Sequence, residues 1–190
     1  MYNLNGRFNM SARYCKEMAE VYEADNNAEM ALASFQEAAD LYVSDNKQQA
    51  ANTCLLKVAA LSSDSGELAR AADIFESIGK ESMNSRLGAY SAKGYFFQCL
   101  LCHLAMGDNV QVTNKLDACK NIDFSFTGSR ECDFIEKILQ ACEDMNIEDF
   151  SQSCADFDRV SPLDPWKTSM LIKAKKFIAD AVGDGEPDLS

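Results

Sequence analysis

Asp25-Asn26-Asn27-Ala28-Glu29-Met30-Ala31-Leu32-Ala33-Ser34-Phe35-Gln36-Glu37-Ala38-Ala39-Asp40-Leu41 is the stretch that decides how this chain folds. Its first three residues are turn formers that can cap a helix or accept positive φ. After them Ala31, Phe35, Ala38 and Leu41 recur at the spacing of one helix face. The small-then-large pair Ala31 and Phe35 comes back as Ala71 and Phe75, 40 residues later. Val112 and Leu116 follow 41 residues on, and Ser153 and Phe157 a further 41. A small residue one helical turn before a large one suits a helix packed closely on a hairpin partner. A period of about 40 residues holds two helices and their turns, somewhat more than the roughly 34 of an ordinary tetratricopeptide repeat.

The same reading extends to both ends. Tyr14, Met18, Val21 and Tyr22 recur at helical spacing. Turn signals fall at Asp45-Asn46, Ser62 to Gly66, Gly107-Asp108-Asn109, Thr127-Gly128-Ser129 and Ser161-Pro162. Helices are therefore expected near 7–24, 28–44, 46–62, 67–79, 87–106, 109–121, 129–144, 147–159 and 163–181, with no sheet. The fold class is all-α: a right-handed helical-hairpin, tetratricopeptide-like solenoid over residues 1–182, ending in a C-terminal helical bundle over about 128–182. Residues 183–190, Gly183-Asp184-Gly185-Glu186-Pro187-Asp188-Leu189-Ser190, read as a flexible acidic tail.

The chain has 190 residues and a formal charge of −12. Residues 1–100 carry 13 acids and 9 bases, and residues 101–190 carry 17 acids and 9 bases. Nucleic-acid binding needs clustered Lys and Arg, so that class is excluded. A basic partner surface suits the more acidic C-terminal half. No run of about 18 uncharged apolar residues is present. The opening residues lack the basic start and apolar run of a signal peptide, so the eight cysteines are expected in a reducing cytosol.

Cys99-Leu100-Leu101-Cys102-His103 fits the C-x-x-C-H pattern of covalent haem attachment. It lies, however, in the apolar run Tyr95 to Leu101, which should face a core. As a zinc set it lacks a second ligand pair. His103 is the one histidine, and neither G-x-S-x-G nor G-x-x-x-x-G-K-[ST] occurs, so the expectation is no enzyme and no cofactor. Solenoids instead offer extended surfaces to other proteins. Arg7, Arg13, Lys57, Lys93 and Arg130 fall on or beside the first helix of successive hairpins. They could form a basic stripe that grips an acidic helical bundle, or they could serve solubility; spacing alone leaves both open.

Several segments resemble the soluble NSF attachment proteins of the alpha type. They are Asn52-Thr53-Cys54-Leu55-Leu56-Lys57-Val58-Ala59, Tyr90-Ser91-Ala92-Lys93-Gly94-Tyr95-Phe96-Phe97, Ser129-Arg130-Glu131-Cys132, Leu163-Asp164-Pro165-Trp166-Lys167-Thr168, Gly6-Arg7-Phe8 and Asp188-Leu189. The resemblance runs from about Leu4 to the end. It implies a cytoplasmic adaptor that binds assembled SNARE complexes, syntaxin-type helices among them, and recruits and stimulates the NSF-type AAA ATPase that disassembles them. It assigns SNARE binding to Arg7, Arg13, Lys57, Lys93 and Arg130, and NSF binding or stimulation to Glu143, Asp144 and Leu189. Thr53 stands where the family has a lysine, and Gln140 where it has an acid. The resemblance also implies further N-terminal helices and a membrane-touching loop before this chain begins. Association with membranes is then expected only through SNAREs or through that N-terminal part, and in its absence the helix over 7–24 should carry exposed apolar surface that invites self-association. The alternative is a generic tetratricopeptide-like scaffold for another acidic partner.

Overall fold

The computed structural model describes residues 2–183. Within them it has nine α-helices and no strand. The first four are α1 (Tyr2–Ala24), α2 (Ala28–Ser44), α3 (Gln48–Asp64) and α4 (Leu68–Ser82). Then come α5 (Arg86–Ala105), α6 (Asn109–Ile122), α7 (Arg130–Glu143), α8 (Ile147–Val160) and α9 (Pro165–Gly183). Consecutive helices pack on one another from α1 to α3 and from α5 to α9, as in a helical-hairpin solenoid. No helix among the described residues is long and apolar enough to cross a membrane.

The turns explain why the helices stop where they do. Asn27, Ser85, Asp108, Ser129 and Asn146 each accept a hydrogen bond at a helix start, from the N–H of Met30, Gly88, Gln111, Cys132 and both Glu148 and Asp149 respectively. A cap of this kind contributes about 1 kcal/mol. Left-handed backbone closes six of the turns, at Asn26, Asn46, Gly66, Gly107, Gly128 and Met145. Five are residues that tolerate this conformation. Met145, at φ 51°, is not, and it is held between the end of α7 and the Asn146 cap.

The chain divides into two compact units inside α4, after Ile74. In the first unit α2 lies against both α1 and α3. Its core is built largely from alanine: Ala12, Ala19, Ala31, Ala38, Ala39 and Ala51 surround Phe35, Tyr42, Cys54 and Val58. Small side chains let helix backbones approach closely, and Phe35, 1% exposed, fills the space between them.

In the second unit α5 is the buried element: Phe96, Phe97 and every residue from Cys99 to Ala105 are buried. A helix apolar all round belongs in the middle of its neighbours, and α6, α7 and α9 all pack on it. An aromatic cluster ties them together. Phe97 meets Phe134 of α7 at 6.0 Å and Phe157 of α8 at 5.5 Å, and Phe134 meets Phe157 at 4.5 Å. Phe75 meets Trp166 of α9 edge-on at 5.4 Å.

The repeated pairs sit on the even-numbered helices. Ala31 with Phe35, Ala71 with Phe75, and Val112 with Leu116 are all buried. Ser153 and Phe157 on α8 are only half-buried. The last helix runs two residues beyond the expected end, to Gly183, and has no base in its final turn. Lys173, Lys175 and Lys176 therefore lie too far back to meet its C-terminal dipole.

Candidate functional site

The five expected SNARE-binding bases all fall on odd-numbered helices: Arg7 and Arg13 on α1, Lys57 on α3, Lys93 on α5 and Arg130 on α7. Within each unit, contacts link odd helices to odd ones. Lys57 Nζ of α3 lies 2.8 Å from Glu23 Oε1 of α1 in the first unit. Lys93 Nζ of α5 lies 3.4 Å from Glu131 Oε2 of α7 in the second. Even helices are linked likewise: Arg70 of α4 donates to Gln36 of α2 at 3.1 Å, and Lys115 of α6 donates to Glu76 of α4. This alternation is what separates the two faces of a hairpin stack.

Three of the five bases carry a carboxylate partner. Arg13, 77% exposed at its side chain, pairs with Glu17 at 2.9 Å, and Lys57 and Lys93 hold the carboxylates just named. The Arg13 and Lys57 pairs are exposed, worth little and readily exchanged, whereas Lys93 holds a Glu131 side chain that is only 20% exposed. Thr53 is exposed and donates its hydroxyl to the Gln49 carbonyl at 2.9 Å, so it presents no charge.

The acidic calls cluster at the α7–α8 turn. Glu143 ends α7, and Asp144 is its C-cap; both are exposed. Acids at a helix C-terminus oppose the dipole, a mismatch that water screens at this surface. Gln140 donates to Asp144 Oδ2 at 2.9 Å, which an acid at that position could not do. The structure adds Glu148 and Asp149, exposed in the first turn of α8, to the same turn. Sequence reasoning passed over them, although D/E residues just after an Asn cap are a readable signal. Leu189 lies outside the described residues.

Cys99, Cys102 and His103 are all buried within α5. Burial pushes the Cys99 thiol up strongly and the Cys102 thiol up to about 12. Both stay protonated near neutral pH, whereas a metal ligand or haem-linking group must be reached and ionised. Among the described residues no group of three or more His, Cys, Asp or Glu is arranged to hold a metal ion.

The family profile described as "Soluble NSF attachment protein, SNAP" matches residues 1–179. The chain belongs to the soluble NSF attachment protein family. It is 38% identical over 177 residues to the "Alpha-soluble NSF attachment protein" of Dictyostelium discoideum, covering 93% of this chain and 61% of that protein. It is 39% identical to the "Beta-soluble NSF attachment protein" of Bos taurus, covering 99% and 62%. Identity to the "Vesicular-fusion protein SEC17" of Komagataella phaffii is 31%, covering 100% and 65%. The chain thus spans less than two thirds of the length of these curated relatives.

In this SNAP-family chain Arg130 opens onto a cleft between α7 and α8 of about 190 Å³. Asp133, Phe134, Lys137, Ser153, Asp156 and Phe157 line it with Arg130. Lys137, seven residues from Arg130 and so on the same face of α7, is a second base that the sequence reading did not name. Mixed charges around an aromatic floor suit a peptide side chain better than a small anion.

Proposed function

We propose that this chain is a non-enzymatic adaptor of vesicle fusion: it binds the assembled SNARE bundle through bases on the odd-numbered helices of each unit and engages the NSF ATPase through its acidic C-terminal end. The relatives' names state attachment to NSF and a role in vesicular fusion. The observation that carries the SNARE side is the restriction of all five expected bases to odd-numbered helices, with α1 bridged to α3 and α5 bridged to α7. Arg7, Arg13, Lys57, Lys93 and Arg130 then meet the acids of the bundle, exchanging their own carboxylates for the partner's. Glu143 and Asp144, with Leu189 beyond them, face the ATPase, where Glu148 and Asp149 add to the field. A cytoplasmic site of action, with membrane association through SNAREs, follows from this role.

The test is equilibrium binding to a preassembled SNARE four-helix bundle at two salt concentrations. Lys93→Glu removes one attraction and adds one repulsion, and about tenfold weaker binding is expected, more at low salt. Equal binding by both proteins at moderate salt refutes the basic face. Leu189→Ala should lower ATPase stimulation and leave SNARE binding as it was; unchanged stimulation refutes the tail's role.

A further inference from the structure

Glu131 stands among the bases of the second unit. It follows Arg130 in the first turn of α7, and its Oε2 lies 3.4 Å from Nζ of Lys93 on α5. An acid suits that turn of a helix, but it is out of place between two residues proposed to grip acids. The contact also differs from the other ion pairs between helices. Lys57 donates to both oxygens of Glu23 at 2.8 and 2.9 Å, Lys120 donates to Glu136 at 2.6 Å, and Lys115 donates to Glu76. Glu131 Oε2 is sealed from solvent and accepts no hydrogen bond from any described residue.

A carboxylate oxygen buried without a donor is unfavourable, because it loses water and gains no hydrogen bond in exchange. Two charges offset that cost here: the N-terminal dipole of α7 and the ammonium of Lys93. Lys93 has three N–H donors and gives none of them to Glu131 Oε2. The ammonium is held by charge alone, and its donors are left for another acceptor.

Taking Lys93 as a SNARE-binding base, the reading on which this rests, we infer that Glu131 is a built-in competitor for it. Glu131 holds the ammonium in the free chain and opposes the acidic helix that Lys93 grips, so that binding stays reversible. A carboxylate that reaches Lys93 must come within a few ångströms of Glu131. Their repulsion is poorly screened, since Glu131 Oε2 is sealed from solvent. The newcomer also takes Lys93 from the oxygen whose burial it offsets, which leaves a buried charge short of its partner. Both effects raise the energy of the bound state, and both speed dissociation. Glu23 in the first unit differs. Its side chain is 36% exposed against 20% for Glu131, so water screens it and its competition for Lys57 is weaker.

Glu131→Gln keeps the shape and removes the charge, and two measurements read it. In the chain alone, an amine-reactive ester labels the lysines, and mass spectrometry compares Lys93 with exposed Lys176 of α9. The variant should label Lys93 about threefold faster relative to Lys176, because the amine is no longer held at α7. An unchanged ratio overturns the inference. Against a preassembled SNARE four-helix bundle, Glu131→Gln should bind about three- to tenfold tighter than the parent, chiefly through slower dissociation. Binding no tighter than the parent's, with both proteins folded by circular dichroism, overturns it. Asp117→Asn makes the same change of charge on an exposed site of α6 and should alter affinity less than about twofold. An equal gain from Asp117→Asn shows net charge alone at work and overturns the competitor. Equal binding by Lys93→Glu and the parent overturns the SNARE reading of Lys93 itself. A weakened Lys93→Glu beside an unimproved Glu131→Gln overturns the competitor alone.

Discussion

Gly79 of α4 puts two opposing effects in direct competition. Glycine inside a helix costs about 1 kcal/mol relative to alanine, so Gly79→Ala should stabilise on propensity alone. The structure reverses the sign. A Cβ at position 79 would stand 2.7 Å from Phe96 Cε1, 2.9 Å from Cδ1 and 3.2 Å from Cζ. Carbon atoms are comfortable at about 3.5–4.0 Å, so the ring must retreat by about 0.8 Å. Phe96 is 0% exposed and sits edge-on to Phe126 at 6.5 Å, which leaves it nowhere to go. Overpacking a tight core costs about 1–3 kcal/mol, and a ring this confined belongs at the upper end. The net result is destabilisation by about 1–2 kcal/mol, a fall in Tm of about 2–8 °C for a chain of this size. Gly94 of α5 is the control. Nothing lies within 4 Å of a Cβ there, so Gly94→Ala should raise Tm by about 2–4 °C. Thermal unfolding followed by circular dichroism at 222 nm measures both. A Gly79→Ala protein as stable as the parent, or more so, refutes the close approach of α4 to α5. Phe96→Leu added to Gly79→Ala should cost less than the two changes summed, because the smaller side chain vacates the contested space.

Other perturbations test other links. Met145→Gly should stabilise by about 0.5–1 kcal/mol by relieving left-handed strain at φ 51°, read as a higher denaturant midpoint with unchanged m. Burial alone would raise the Glu76 carboxyl, but hydrogen bonds from Lys115 and Lys80 outweigh it and hold it below its ordinary value of 4.5. Its contribution is therefore complete above pH 4.5 and is lost as the pH falls through the lower folded value. Glu76→Gln should cost about 1–2 kcal/mol at pH 7 and flatten the acid limb of a stability–pH curve; an unchanged limb would count against the pairing. Burial raises the Cys102 and Cys119 thiols to about 12, and a disulfide reagent at pH 7.5 should modify them only as fast as the protein opens. Half-buried Cys15 should react first.

The comparison of sequence with structure is instructive residue by residue. The helix starts at Asn27, Asp108 and Ser129 were legible because these turn residues cap through local hydrogen bonds that depend on nothing distant; the caps Ser85 and Asn146 act in the same way but were not singled out. The turn after α7 was less legible, because Met145 takes a conformation usually left to glycine or asparagine. For the site, Arg13, Lys57 and Lys93 could be placed on odd helices by counting turns. Their carboxylate partners could not, since Glu23 is 34 residues from Lys57 and Glu131 is 38 from Lys93. Lys137 was missed because its relation to Arg130 matters only once α8 closes the cleft. Helix α1 shows the same limit: Tyr14, Met18 and Val21 announced a helix, but not which of its faces the core would take.

What this sequence determined by itself was therefore local and periodic: nine helices, their turns, the repeat of about 40 residues, and family membership carried by contiguous segments. Caps, breakers and a 3.6-residue period act within a few residues, so a linear reading captures them. The tertiary structure alone decided which charges neutralise one another, which cysteines are sealed, where Gly79 admits a phenylalanine ring, and which face of α1 the first unit's core takes. Those outcomes depend on residues 17 to 40 positions apart being brought within a few ångströms, which packing settles and periodicity cannot.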